Sequence, residues 1–376
     1  MTENFRPYKQ KILMIAMCVL SAAGGLYYSV RVGHAVRLAA GQDVSLPLSG
    51  VILFFLLVQL YSNKTKRTSF SSIYRILVYL SGICVAFLVF GYVCLIACDL
   101  LFLVLRIFGL KRLRFEVSAG ISAFASLVLV LYGNLHARKI KTCTYSIASP
   151  KIRKSYRVVQ LSDLHLGAVV GAGQMRRAVQ AVNALKPDLV VITGDMINHG
   201  QTGEIRHMTD TEDILAQIRA QAPVYAVTGN HDPAADDPVF RLFLKNSNIR
   251  LLDNEAVKFQ DLLLYGRSGN SLQQRGPLAF NAPEDAYTIL LDHYPDGAEE
   301  AAKAGTDLFL AGHTHAGQYF PCTFMVRKAY PGARRHGMSA VGKMSCIVCG
   351  GTSFFQIPVR VGTDSEVVCV DLVPAP

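Results

Sequence analysis

Acidic residues are scarce at the start of this 376-residue chain. Residues 1–150 hold 4 Asp/Glu against 16 Lys/Arg, a balance of 16 − 4 = +12, whereas residues 151–376 hold 23 against 22, a balance of 22 − 23 = −1. The formal charge of +11 therefore belongs to the first part, which argues against one uniformly basic nucleic-acid-binding domain. Tryptophan is absent, and there is no internal repeat, glycine period or low-complexity tract. At 51% hydrophobic residues, the chain is too apolar to be disordered or collagen-like. The cysteines form no disulfide framework. Cys18, Cys84, Cys94 and Cys98 fall in apolar windows, and Cys143, Cys322, Cys346, Cys349 and Cys369 are an odd number outside them. Cys346-Ile-Val-Cys349 has CxxC spacing, but it lacks a second pair and sits in an apolar run, so it reads as buried strand.

Charge is missing altogether from four windows: residues 12–30, 44–63, 76–98 and 117–137 contain no Asp, Glu, Lys or Arg over 19, 20, 23 and 21 residues. About 20 apolar residues of helix cross a bilayer core of about 30 Å. Such a helix satisfies its own backbone in lipid. Residues 1–138 are therefore expected to form four transmembrane helices. The second is weakest, because Pro47 and Gln59 shorten its apolar centre. The first lacks the cleavage pattern and twin-Arg pair of an export signal and reads as a retained anchor. The third continues past Asp99, which sits either near a helix end or facing other helices. With four spans, 13 Lys/Arg flank the spans on the side of the N-terminus and 6 on the other. That bias places the C-terminal part in the cytoplasm, although the basic loop at 106–114 disagrees and a different span count would reverse the answer. Residues 139–156 are polar and basic and are expected to be a linker.

Beyond the linker a short β-rich run repeatedly ends in a polar, glycine-containing turn. Residues 157–161 lead into Ser162-Asp-Leu-His-Leu-Gly167, 188–192 into Thr193-Gly-Asp195, and 224–227 into Thr228-Gly-Asn-His-Asp232. Residues 287–291 lead into Asp292-His-Tyr-Pro295, and 307–310 into Ala311-Gly-His-Thr-His-Ala-Gly-Gln318. Segments of helical spacing at 174–185, 210–221, 239–245 and 297–303 lie between them. This alternation predicts an α/β domain whose chemistry gathers beyond the strand ends. The turns carry Asp163, His165, Asp195, Asn230, His231, His293, His313 and His315. A single strand-end Asp is usually a cap and a lone His usually a surface residue. Carboxylate, imidazole and amide oxygen at five strand exits together form a mixed N/O donor set suited to Mn, Fe or Zn.

The order Asp-x-His, Gly-Asp, Gly-Asn-His-Asp, single His, Gly-His-x-His resembles the calcineurin-like metallophosphoesterases over residues 155–373. The Gly-His-Thr-His-Ala-Gly-Gln318 form, the block at His293 and the tail Arg334-Arg335, Gly350-Gly-Thr and Ile357-Pro-Val-Arg360 are similar to a membrane-anchored bacterial branch that includes UDP-2,3-diacylglucosamine pyrophosphatases. The resemblance implies a four-layer αββα sandwich over residues 157–376. It also implies two metal ions, of which manganese is one candidate. Asp163, His165, Asp195 and His315 would hold one ion, and Asp195, Asn230, His293 and His313 the other, with Asp195 bridging. A hydroxide shared between the two would attack phosphorus in line with the leaving oxygen. His231 matches the family's non-ligand histidine, a proton donor or transition-state stabiliser. Asp232 would orient that imidazole; its plainer reading is a turn-forming residue before Pro233. Asn198 stands where many relatives carry a second Asp. His199, His207 and His336 read as surface residues, and Arg176-Arg177 and Arg334-Arg335 as solvated pairs.

The expected activity is hydrolysis of a phosphodiester or pyrophosphate bond, with the bilayer and a lipid-linked or nucleotide-linked substrate such as UDP-2,3-diacylglucosamine as partners. The expected site of action is the bacterial plasma membrane. The alternatives are a nuclease or soluble-nucleotide phosphodiesterase of the same fold, and a non-catalytic membrane scaffold. With a charge of −1 on the second part, nucleic acid is the less favoured partner.

Overall fold

The computed structural model describes residues 6–64, 71–109, 115–198, 205, 208–269, 277–331 and 335–375. The chain divides into two compact units: Met1–Lys64 with Ile76–Tyr132, and Thr65–Arg75 with Gly133–Pro376.

The first unit is helical. α1 spans Arg6–Ala40, α2 Ser45–Lys64, α3 Ser72–Ile107 and α4 Phe115–Ala137, the last turn of α4 belonging to the second unit. Among the described residues, three stretches are long and apolar enough to cross a membrane, Ser45–Ser62, Ser72–Ile107 and Glu116–Ala137. The first uncharged window falls on α1, whose residues 6–22 are described only as helix. Pro47 does not break α2, because it sits in the first turn, where its missing N–H has no intrahelical acceptor. Tyr28, Ile52, Leu88, Leu95 and Ala119 form this unit's packed centre. Asp99 lies inside α3 and faces other helices. It accepts hydrogen bonds from Arg31 at 3.0 and 3.1 Å and from the Ser118 hydroxyl. An unpaired carboxylate at this depth would be costly, and the partners on two other helices remove that cost.

The second unit holds two six-stranded sheets. The first has the order β1-β12-β2-β3-β4-β5, with β1 at Ile140–Ser149, β2 Tyr156–Leu161, β3 Leu189–Thr193, β4 Val224–Val227, β5 Ile249–Leu251 and β12 Ser365–Pro374. The second has the order β10-β11-β9-β8-β7-β6, from β6 Glu255–Phe259 and β7 Leu262–Gly266 through β8 Tyr287–Leu291 and β9 Leu308–Ala311 to β10 Gly337–Val341 and β11 Met344–Val348. β2 to β5 run parallel, as do β7, β8, β9 and β11.

Alternation along the strands builds three apolar layers. Val158, Val191 and Val227 meet Leu264, Ile289, Leu310 and Ile347 between the sheets. Val159, Val190, Ile192 and Ala226 face the other way and pack with α5 (Ala172–Ala184), α6 (Thr209–Leu215) and α7 (Pro238–Asn246). Leu290, Phe309 and Val348 pack with α8 (Ala298–Lys303). Helix, sheet, sheet and helix are thus stacked as the four expected layers.

The segment 139–156 differs from the expected linker. Its Ile140–Ser149 part is β1, paired in parallel with β12 from Ile140↔Ser365 to Ser149↔Pro374. Cys143, Tyr145 and Ile147 alternate with exposed polar residues, a period of two masked by a basic composition. Cys346 and Cys349 are fully buried at and just after β11, as a strand reading requires.

Candidate metal centre

The functional turns leave the C-terminal ends of parallel strands in both sheets: β2, β3 and β4 from one, β8 and β9 from the other. Backbone bonds sew these turns together. Asp163 N donates to Gly194 O at 3.0 Å, His165 N to Asp195 O at 2.9 Å, and Gly312 N to His293 O at 3.1 Å. Between the sheets, the Gln160 amide donates to Ala311 O at 2.7 Å.

Two groups of donors converge, Asp163 with His165 and His315, and Asp195 with His293 and His313. Within each group the ligand atoms lie within 4.8 Å of one another. Asp195 stands between the groups. Its Oδ1 accepts from His231 N at 2.8 Å, while Oδ2 lies 3.3 Å from His293 Nε2 and 3.6 Å from His165 Nε2. Asn230 Oδ1 is 3.1 Å from His293 Nε2, and His313 Nδ1 is 3.2 Å from the same atom. All seven expected ligands are therefore brought to one place.

Asp163, His165, Asp195 and His293 are buried, whereas Asn230, His231 and His313 are half-buried. The depth is carboxylate-rich and the mouth is lined by an amide and two imidazoles. The backbone is held in the left-handed region at Asp163, His165, Asp195, His313 and His315, with φ of 55°, 46°, 52°, 72° and 49°. Non-glycine residues avoid this region, so packing around the site must impose it. Two glycines allow close approaches to candidate-ligand turns. A Cβ at Gly229 would lie 2.2 Å from Asp195 Oδ1, and one at Gly312 would lie 1.8 Å from Ser162 Oγ.

The electrostatics follow from burial. Burial pushes Asp163 up to about 6, with the neighbouring Asp195 charge adding to it. Burial would also raise Asp195, but His293, His165 and His231 outweigh it and hold this carboxyl well below its usual range. Burial lowers His165 to about 3 and His313 to about 3, and takes His315 well below its usual value, leaving neutral imidazoles. His293 goes the other way, to about 10, because Asp195 and Asp163 overcome its burial.

This set fits divalent cations. Neither Asp163 nor Asp195 accepts a hydrogen bond from Lys or Arg among the described residues. Three of the four candidate-ligand histidines are held as neutral electron-pair donors. His165 Nε2 and His315 Nε2 face each other at 2.9 Å, and His165 Nδ1 is buried with no hydrogen-bond partner among the described residues.

The other candidate residues separate. Asp232, expected to orient His231, instead gives one oxygen to Ile197 N at 2.8 Å and the other to Gly229 N at 2.9 Å, clasping the β3 and β4 turns. Burial and the Asp195 charge push Asp232 up to about 7. His336 is exposed, as expected of a surface residue, and its Nε2 also pairs with the buried Glu366 carboxylate at 2.9 Å. Arg177 bonds Gln174 at 2.8 Å, while Arg176 is exposed. His199, His207 and Arg334 lie outside the described residues.

Sequence reasoning did not single out two residues that shape the site. The Phe355 ring lies 4.8 Å from that of His231 and 4.9 Å from that of His165. The guanidinium of the fully buried Arg360 donates to Ser353 O, Gly350 O at 2.7 Å and His315 O at 3.1 Å. It therefore fixes a metal-ligand turn and the 350–353 turn together. The signal was the tail block ending at Arg360, which was noticed only as a likeness.

The comparisons agree with the geometry. The calcineurin-like phosphoesterase family model matches residues 156–317. A protein of Bos taurus called "Transmembrane protein with metallophosphoesterase domain" is 30% identical over 298 residues, covering 71% of this chain and 65% of its own length. A Danio rerio protein of the same description is 31% identical over 273 residues, covering 65% and 60%. An uncharacterised metallophosphoesterase of Aquifex aeolicus is 28% identical over 261 residues, covering 66% of this chain and 98% of its own. The chain thus spans less than two thirds of the two vertebrate relatives.

Proposed function

We propose that this chain, whose residues 156–317 match the calcineurin-like phosphoesterase family model, is a membrane-anchored, dimetal-dependent hydrolase of phosphodiester or pyrophosphate bonds. The observation that carries this reading is Asp195. One of its oxygens is taken by the His231 N–H, and the other faces both donor groups. Asp163, His165, Asp195 and His315 would hold one ion, and Asp195, Asn230, His293 and His313 the other. When bound, such ions lower the pKa of a water and offset charge developing on phosphoryl oxygens. The donor set admits Mn, Fe or Zn.

The chain's own residues supply the rest. His231 stands half-buried at the mouth, able to give a proton to the departing oxygen. Its N–H bond to Asp195 fixes its backbone, and the face of Phe355 limits where its ring can turn. Asp232 keeps the β3 and β4 turns in register, and Arg360 does the same for the β9 turn.

The substrate we favour is lipid-linked or nucleotide-linked, with UDP-2,3-diacylglucosamine as the candidate suggested by resemblance. Apolar helices in the same chain raise the effective concentration of a lipid-borne phosphoester near the site. The plasma membrane of a bacterium, with the second unit in the cytoplasm, is our reading of the charge bias. Detergent-purified full chain with Mn²⁺ is expected to hydrolyse bis-p-nitrophenyl phosphate, and Asp195→Ala to fall to background. Activity persisting in Asp195→Ala with two metals bound would reject the mechanism. A UDP-linked lipid is expected to compete in this assay better than oligonucleotides, and the reverse order would overturn the lipid reading.

A further inference from the structure

Between Asp307 and Asp364 the sequence has no acidic residue, yet it carries Arg327, Lys328, Arg334, Arg335, Lys343 and Arg360. Inside this stretch lies α9, Cys322–Ala329, which buries none of its residues. From β1 onward, the large hydrophobic residues exposed among the described residues are Leu242, Phe320, Phe324, Met325 and Met338. Three of these are clustered at α9, where Phe320, Phe324 and Met325 are 49%, 63% and 60% exposed. Arg327 and Lys328 occupy the last turn, and Lys328 follows Phe324 by one helical turn. Aromatic and thioether side chains beside long basic ones are the composition of a helix lying in a lipid interface. The apolar groups enter the acyl boundary and the charged heads rise to the phosphates.

α9 is joined to the metal-binding turn at both ends. A Cβ on Gly317 would lie 2.4 Å from Thr323 Cα, and Thr323 N donates to Tyr319 O at 3.0 Å. At the other end, the Tyr330 ring meets the ring of His313 edge-on, with centroids 6.3 Å apart. His313 belongs to the half-buried mouth of the site. Whatever α9 rests on therefore lies next to that mouth.

We propose that α9 with Phe320 is a docking platform for an anionic lipid surface. Phe320, Phe324 and Met325 enter the leaflet, and Arg327 and Lys328 pair with headgroup phosphates. The platform presents the site mouth to phosphoesters at headgroup level. Only that last step rests on the hydrolase reading; the docking itself does not.

The absence of tryptophan makes a direct test simple. Met325→Trp in the full chain creates a lone fluorescent reporter, with Phe324→Trp as a second and Leu242→Trp, at an exposed position of α7, as the control. Each is placed, one chain per nanodisc, in phosphatidylcholine with phosphatidylglycerol, with and without lipid brominated near the headgroup end of the acyl chain. Both α9 reporters are expected to shift to the blue and lose at least half their emission to brominated lipid, while Leu242→Trp is unaffected. α9 reporters quenched no more than the control would overturn the proposal. A blue shift without bromine quenching would mean that a second copy or another protein covers the patch, and would overturn it equally. The double variant Phe324→Glu/Met325→Glu is expected to keep its rate on bis-p-nitrophenyl phosphate and to lose at least tenfold on a bilayer-borne phosphodiester. Inactivity of the unsubstituted chain on both substrates would defeat the hydrolase reading and leave the quenching result to decide the platform.

Discussion

Asp195 Oδ2 lies 3.3 Å from one imidazole and 3.6 Å from another that belongs to the other donor group, so one oxygen faces both groups. His231 contributes its backbone N–H to that arrangement and keeps its ring at the mouth. His231→Ala is therefore expected to retain both metals by elemental analysis and to lose about 10²–10⁴-fold in kcat, the usual range for a positioned proton donor. Gly229→Ala should do the opposite, displacing Asp195 through a Cβ that would sit 2.2 Å from Oδ1 and emptying the metal sites while leaving the His231 side chain intact. The eight strand-exit residues were legible because each ends a β-rich run at a recognisable spacing. Asp232 was legible as a residue but not in its role. Whether a carboxylate meets an imidazole or two backbone N–H groups depends on how turns from different strands meet, here Ile197 and Gly229. The left-handed φ values at five candidate ligands left no mark in the sequence for the same reason.

At the scale of elements, two tethers hold the turn at 350–353. Arg360 is fully buried and satisfies backbone carbonyls on both sides of it. Arg360→Met would leave those carbonyls unpaired, at about 1–3 kcal/mol for each buried group left unsatisfied. A drop in thermal stability together with weaker metal binding is the expected result. Glu366 is the second tether, accepting from Gly350 N at 2.7 Å and His336 Nε2 at 2.9 Å. Burial would raise its pKa, but the His336 bond and charge and the Gly350 N–H outweigh this and lower it. A carboxyl lowered on folding stabilises fully above its unfolded value of about 4.3, and that contribution fades as pH falls through the folded value. Thermal melts in an acid series should show the loss beginning below about pH 5, and Glu366→Gln should remove that part of the slope. β1 was hidden for a different reason: its inward positions, Cys143, Tyr145 and Ile147, are modest apolar residues set among lysines and threonines. Period-two patterning is weak evidence where one face carries most of the charge.

At the scale of the molecule, charge and chemistry are segregated. The first part carries +12 around uncharged helical windows, and the second part is nearly neutral overall, at −1. The buried carboxylates Asp163 and Asp195 give the second unit a local need for cations that its overall charge does not reveal. Metal binding should therefore stabilise it by mass action, by about 2.7 kcal/mol at a hundred times the dissociation constant. Chelation by EDTA is expected to lower the melting temperature and Mn²⁺ to restore it, and a melt indifferent to both would contradict the donor assignment. A C-terminal reporter fusion checks the side of the membrane, with the cytoplasmic reporter expected to be active.

The pairing of β1 with β12 also sets a timetable. Ile140 lies beside Ser365, 365 − 140 = 225 residues later in the chain. A ribosome adding about 5–20 residues per second needs roughly 10–45 s to cover that distance. Through this interval the helices of the first unit have already been synthesised, while the first sheet lacks the strand that joins β1 to β2. Every candidate metal ligand from Asp163 to His315 is made before that strand. β1 should thus stay unpaired, and the first sheet incomplete at that edge, until β12 has been synthesised.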